Sequence, residues 1–143
     1  MAELLFADLT SAILDCYYQV YNSPSSRGLS EASLIRALAI ELRKRGLRIQ
    51  QNVTIAHRYE NRKIGSGRVD LVVESKVLVE VKRLVSLRER DKEHMRTNLL
   101  EGGYAVGLLL NFGKSQPDYR RVYESRNAPR PVERAEGGDG DGI

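Results

Sequence analysis

Two short apolar segments near the middle of the chain carry charged side chains. RVDLVVE contains Asp70, and VLVEVKR contains Glu80 and Lys82. Charged side chains are rarely buried without a partner, and two facing carboxylates repel each other unless a cation lies between them. Mg²⁺ prefers carboxylate and water oxygens, and a nearby lysine can orient or deprotonate a bound water. These residue types therefore indicate metal-assisted hydrolysis of a phosphodiester.

The hairpin between the two segments decides whether these charges meet. Side chains alternate across a strand, so Glu80 and Lys82 share a face. Directly opposed residues of antiparallel strands also share a face. A two-residue turn would pair Asp70 with Val81, on the face opposite to Glu80 and Lys82. A three-residue loop (residues 74–76) would instead set Asp70 opposite Glu80, on the same face. A bend or bulge at Asp70 would relax this requirement.

Periodicity predicts the elements that position these side chains. Steps of three and four residues predict helices over residues 3–21 and from Leu29 or Ser30 to Gly46, and a charge-rich run of good helix formers predicts a third over 87–100. Extended patterns predict strands at 47–59, 68–74, 77–83 and 104–113, with a candidate edge strand at 118–125. This order predicts an α/β/α sandwich with a mixed four- to five-stranded sheet over residues 1–124. Residues 125–143 have little to bury and form a predicted disordered tail.

Bulk composition is typical of one globular domain. The chain has 143 residues, of which 41% are hydrophobic and 29% charged. No apolar run approaches the roughly 20 residues of a membrane-spanning helix, and the first residues lack signal-peptide features, so a cytoplasmic location is expected. A formal charge of +4 permits a polyanionic partner. The single cysteine, Cys16, excludes an intramolecular disulfide.

The blocks around these residues resemble a known family. GLSEASLIRALAIELRKRGL, GRVDLVVESKVLVEVKRL and GGYAVGLLLNFG are similar to successive blocks of the GxxExxY protein family, a branch of the PD-(D/E)XK nuclease superfamily. The resemblance covers roughly residues 4–123. It implies a restriction-endonuclease-like fold and a Mg²⁺- or Mn²⁺-dependent nuclease that hydrolyses DNA.

The resemblance also implies roles for individual residues. Gly28 and Glu31 match the glycine and glutamate that name the family. The implied metal ligands are Glu31, Asp70, Glu80 and the carbonyl of Val81. The implied catalytic residues are the same three carboxylates together with Lys82, which matches the catalytic lysine.

Several positions depart from the family pattern. Leu34 stands where the family has its tyrosine, and Ile35 stands where a glutamate is common. In the third helix, His94 and Asn98 replace the usual glutamine and tyrosine. The loss of that pair affects substrate positioning and leaves the metal ligands in place.

Basic residues that follow the second charged segment are the candidates for phosphate contacts. They are Arg83, Arg88, Lys92, His94 and Arg96. Three acidic residues interleave with them and reduce the local positive charge, namely Glu89, Asp91 and Glu93. DNA is the expected partner, with RNA as the alternative, and a homodimer or larger homo-oligomer is expected for gripping a branched substrate.

Simpler interpretations stay open beside the catalytic one. Glu31 suits the start of any helix, Asp70 could cap a turn, and Glu80 with Lys82 could form an exposed ion pair. Residues 65–67 are expected to form a plain turn, and His57 to face solvent. The whole chain could be a non-catalytic nucleic-acid-binding module, or an oligomer assembled through the tyrosines at positions 17, 18 and 21.

Overall fold

The fold is known from a computed structural model that describes residues 5–129. The α-helices in this range are α1 (Ala7–Tyr21), α2 (Glu31–Lys44) and α3 (Glu89–Gly102). The strands are β1 (Ile49–Tyr59), β2 (Arg62–Val73), β3 (Val77–Lys82), β4 (Val106–Asn111) and β5 (Asp118–Tyr123). No helix in the described range combines the length and apolar character that a membrane span requires.

The five strands form one mixed sheet in the order β1-β2-β3-β4-β5. Neighbours are antiparallel except β3 and β4, which are parallel and joined through α3. Helices α1 and α2 cover one face, where Leu38 packs in a core with Val79. Helix α3 covers the other face, where Leu99 packs with Leu78. The predicted α/β/α sandwich is confirmed, with the edge strand included.

Helix α2 begins and ends where its sequence predicts. The Ser30 hydroxyl accepts a hydrogen bond from the Ser33 amide at 3.1 Å, which satisfies one of the unpaired donors at the helix start. Gly46 follows the last turn with φ of 77°, a conformation that glycine adopts without a Cβ penalty. These caps fix the position of Glu31 at the first turn.

Two boundaries differ from the sequence prediction. Strand β2 begins at Arg62 rather than at residue 68, and the hairpin turn is Glu60–Asn61, whose φ angles of 50° and 66° suit a tight I′-type turn. Order also continues past residue 124, because the Asn127 amide donates to the carbonyls of Leu99 and Tyr104 at 2.8 and 3.0 Å. The rest of the predicted tail, 130–143, lies outside the described residues.

Candidate active site

The loop between β2 and β3 has three residues. Val73 pairs with Val77, which leaves residues 74–76 to make the turn, with φ of 55° at Glu74 and 54° at Ser75. Continuing this register by one rung beyond Leu71–Val79 sets Asp70 opposite Glu80. The arrangement that brings the carboxylates to one face is therefore confirmed.

Strands β2 and β3 separate at this point, and we call the divergence the fork. The last backbone pair is Leu71–Val79, and beyond it the Asp70 carboxylate accepts a hydrogen bond from the Val81 amide at 2.8 Å. Opposite Asp70 on β1, Asn52 is left out of the register and has φ of 54°. The β1–β2 register is the same on both sides of Asn52, so the three-residue loop alone accounts for the face that Asp70 shares with Glu80.

The two carboxyl groups at the fork form a coupled pair. Desolvation, the charge of Asp70 and a hydrogen bond to Asp70 together raise the pKa of Glu80 to about 8. The positive charges of Lys82 and Arg68 act in the opposite direction without reversing the shift. Within residues 5–129, no ion pair joins a basic side chain to either carboxyl group. The Glu80 carboxyl group thus retains its proton near neutral pH.

Lys82 lies beside the pair and is held by an acidic residue of α3. Its Nζ is 3.9 Å from Oδ1 of Asp91, whose side chain is only 2% exposed. Arg88 donates to Asp91 from its backbone amide at 2.8 Å and from its guanidinium at 3.1 Å, and these bonds keep the pKa of Asp91 below its usual range. Asp91 was not among the predicted site residues, although an acidic residue at the third position of a helix is a recognised capping signal.

Glu31 is bound at the end of β3 rather than at the carboxylate pair. Its Oε2 accepts a hydrogen bond from the Arg83 amide at 3.0 Å, and the Arg83 guanidinium donates to the carbonyls of Leu29 and Arg27. In the described part of the chain, no group of three or more His, Cys, Asp or Glu side chains is arranged to hold a metal. The structure therefore joins Asp70 and Glu80 but not Glu31, and the roles of Glu31 and the Val81 carbonyl as ligands stay predictions.

A cavity of about 510 Å³ opens at the fork. Its walls are Ser66–Arg68 of β2, Glu80 and Lys82 of β3, residues on one face of α3, and His57 of β1. The expectation that His57 faces solvent is wrong, because its Nε2 lies 2.8 Å from Oδ1 of Asn98 on α3. Glu80 and Lys82 therefore line an open cavity, and Asp70 lies behind Glu80 at the fork.

Gly67 belongs to this wall and not to a turn. A Cβ atom at residue 67 would lie 2.2 Å from Oδ1 of Asn98 and 2.9 Å from Nε2 of His57. The absence of a side chain thus lets the His57–Asn98 pair approach the backbone of β2. The sequence signal was the glycine itself, since glycine inside a strand often marks a close approach.

The predicted phosphate contacts have different surroundings in the structure. Arg83 and Arg88 are engaged as described above, and Lys92 pairs with Glu89 at 3.1 Å. His94 lines the cavity and Arg96 is exposed on α3. His94 and Arg96 therefore remain accessible candidates, whereas the other three have intramolecular partners.

The tyrosines of α1 contribute to the protein interior. Tyr17 is fully buried, its hydroxyl donates to the Asn111 carbonyl, and it accepts a hydrogen bond from the Asp118 amide at 2.9 Å. The Tyr21 hydroxyl donates to the carbonyl of Lys114. An oligomer interface that includes Tyr17 is therefore wrong for this fold.

Comparisons with known proteins identify the family and support the fold. A family model described as the PD-(D/E)XK nuclease superfamily matches residues 7–122. The crystal structure of the protein designated SSO0001 superposes with a TM-score of 0.53 at 16% sequence identity, over 92% of this chain and 63% of that chain. This likeness shows a shared fold, and our chain spans about 63% of the length of that protein. No curated protein matches the sequence.

Proposed function

We propose that this chain, which belongs to the PD-(D/E)XK nuclease superfamily, is a metal-dependent nuclease that hydrolyses DNA phosphodiester bonds. The observation that supports this function best is the pair formed by Asp70 and Glu80 at the fork. Its carboxyl groups face each other beside a cavity, with Lys82 next to them and without a basic partner in the described residues. A purely structural pair of carboxyl groups would be expected to form an ion pair with an arginine or a lysine.

The residues present suit a divalent cation. Members of the superfamily generally use divalent metals, and Mg²⁺ is commonly held by one or two carboxylates, with waters and substrate oxygens completing its shell. Asp70 and Glu80 would supply those carboxylates, with Glu31 and the Val81 carbonyl as further proposed ligands. A bound cation would polarise the phosphate and lower the pKa of a water.

The side chains at the fork have separable tasks in this proposal. Glu80 must release its proton before it can bind a cation, because its pKa is raised to about 8 in the metal-free fold. Lys82, held by Asp91, directs an ammonium group that can orient the attacking water and stabilise charge on the phosphate. Asp91 itself acts through Lys82 as a positioning residue.

The finer assignments form part of the same proposal. We assign the chain to the GxxExxY branch of the superfamily because its sequence blocks resemble that branch, and we propose Mg²⁺ or Mn²⁺ as its metal. DNA is favoured over RNA as the substrate, in the cytoplasm, and a homodimer would let two such domains grip a branched substrate. Each of these assignments rests on the resemblance rather than on a contact in the structure.

A non-catalytic nucleic-acid-binding module is the second candidate. It is favoured by the third helix, where His94 and Asn98 replace the family glutamine and tyrosine. Asn98 is largely buried and its Oδ1 is engaged by His57, so less of its amide is free for a substrate than in an exposed side chain. Such a module would retain the fold and the cavity but would not cut.

Cleavage of labelled single-stranded, duplex and branched DNA with Mg²⁺, Mn²⁺ or EDTA tests these candidates. We expect metal-dependent cutting that falls by about 10²- to 10⁴-fold in folded Lys82→Ala and Glu80→Gln variants, as is usual when a group that handles a proton is removed. Lys44→Ala, which removes an exposed lysine from the last turn of α2, is the matched control and should cut normally. An absence of cutting on every substrate, with DNA binding intact, would favour the binding module.

A further inference from the structure

The end of the β1–β2 hairpin is a two-stranded ribbon that leaves the rest of the sheet. Strand β3 pairs with β2 only over Leu71–Val73, whereas the β1–β2 ladder continues to the Tyr59–Arg62 pair. Residues 59–66 are all exposed. We call residues 58–68 the ribbon, and its base is the wall of the cavity at the fork.

The ribbon carries most of the excess positive charge of the chain. It contains four basic residues and one acidic residue, which give it a net charge of +3, compared with +4 for the whole sequence. The basic residues are Arg58, Arg62, Lys63 and Arg68. Within the described range, none of these four side chains takes part in an ion pair. Unpaired basic groups on an exposed arm attract a polyanion, and their binding releases condensed counterions from it.

The ribbon also has exposed apolar side chains at its tip. Tyr59 is 66% exposed and Ile64 is 69% exposed. His57 pairs with Gly65 and Arg58 with Lys63, so Ile64 is the extra residue of a bulge, which increases the local twist. The major groove of a DNA duplex admits a two-stranded β-ribbon, and apolar side chains contact base edges there. The shape and the side chains of the ribbon thus fit a nucleic acid duplex.

We propose that the ribbon binds the groove and backbone of duplex DNA and directs a neighbouring phosphate into the cavity. This inference rests on the proposed nuclease function and narrows its substrate class to DNA with a duplex arm. Arg68 supports the connection, since it belongs to the ribbon and lines the same cavity as Glu80. A duplex held at the ribbon therefore continues towards the carboxylate pair.

Binding of a labelled duplex, and of one of its strands alone, to the full chain in EDTA tests the ribbon. The test variant is Arg62→Ser with Lys63→Ser, and the control is Arg36→Ser with Arg43→Ser, which removes the same charge from exposed positions of α2. We expect the duplex Kd of the ribbon variant to rise roughly tenfold or more, and the slope of log K against log salt to become about 2 smaller. The control should bind the duplex as the native chain does.

Other results would overturn the inference. Equal weakening in the test and control variants would show only a general effect of charge, and equal weakening for duplex and single strand would remove the duplex preference. A native dimer that dissociates in the ribbon variant while duplex binding is unchanged would assign the ribbon to a second copy of the chain. Because binding is measured without metal, a native chain that binds through the ribbon but never cuts would contradict the nuclease function alone.

Discussion

Replacing Glu80 with glutamine should make the protein more stable at alkaline pH. Glu80 has a pKa of about 8 in the folded chain, against 4.5 for an unperturbed glutamate. The folded chain therefore holds the Glu80 proton more tightly than the unfolded chain does. The contribution of Glu80 to the free energy of unfolding should be fully present below about pH 4.5 and should fall as pH rises towards 8, by up to about 1.4 kcal/mol per pH unit.

The size of the effect follows from the same pKa difference. The interval from 4.5 to 8 spans about 3.5 units, which sets an upper limit of about 5 kcal/mol. Water that enters the cavity screens the carboxyl groups, so we expect Glu80 to lower the native free energy of unfolding by about 2 to 5 kcal/mol at pH 8. The amide of Glu80→Gln is uncharged and can still donate to Asp70. The free energy of unfolding of the variant should exceed that of the native chain by this amount at pH 8. At pH 5 the two values should agree within about 1 kcal/mol.

Urea unfolding at several pH values, with and without Mg²⁺, measures this difference. Glu93→Gln, at an exposed position of α3, is the control and should follow the native curve. Added Mg²⁺ should stabilise the native chain at pH 8, because a ligand that binds only the folded state raises the free energy of unfolding, and should not stabilise Glu80→Gln. Parallel curves for the native and Glu80→Gln proteins from pH 5 to 8 would refute the coupled carboxyl pair.

Two further substitutions test contacts that support the site. Gly67→Ala should lower the free energy of unfolding by about 1 to 3 kcal/mol, since the new Cβ displaces Asn98. Gly65→Ala is the control, because no atom lies within 4 Å of the Cβ it would add. It should be neutral or slightly stabilising in the same urea titration. Tyr17→Phe should cost about 1 to 3 kcal/mol, because it leaves the buried Asp118 amide without its acceptor; an unchanged unfolding midpoint would contradict that role.

The sequence predicts best the features that are determined locally. The Ser30 cap and Gly46 stop of α2 are confirmed, because caps depend on residues within one turn. The position of Asp70 was limited to two alternatives by counting residues in the hairpin. The loop length then decided between them, since a shift of one residue reverses the face of every side chain in a strand.

The features missed by the sequence depend on contacts between distant elements. His57 is expected in solvent by its polarity, and only the crossing of α3 over β1 brings it to Asn98. Asp91 looks like a surface residue of a charged helix until the fold sets it beside Lys82. The first half of β2 lacks a buried face, so the alternation that identifies strands is absent there.

The fork gives a physical reason for placing charges inside apolar strands. Had β2 and β3 continued to pair beyond Leu71, backbone bonds would have filled the space that the Asp70 carboxylate and the cavity now occupy. Ending the ladder removes those backbone bonds and leaves Glu80 in a position where its ionisation opposes folding, because burial and Asp70 raise its pKa. Natural proteins retain such local costs chiefly at functional sites. A cation that binds the pair would offset the repulsion, so the same residues that destabilise the metal-free fold are the ones that the proposed reaction requires.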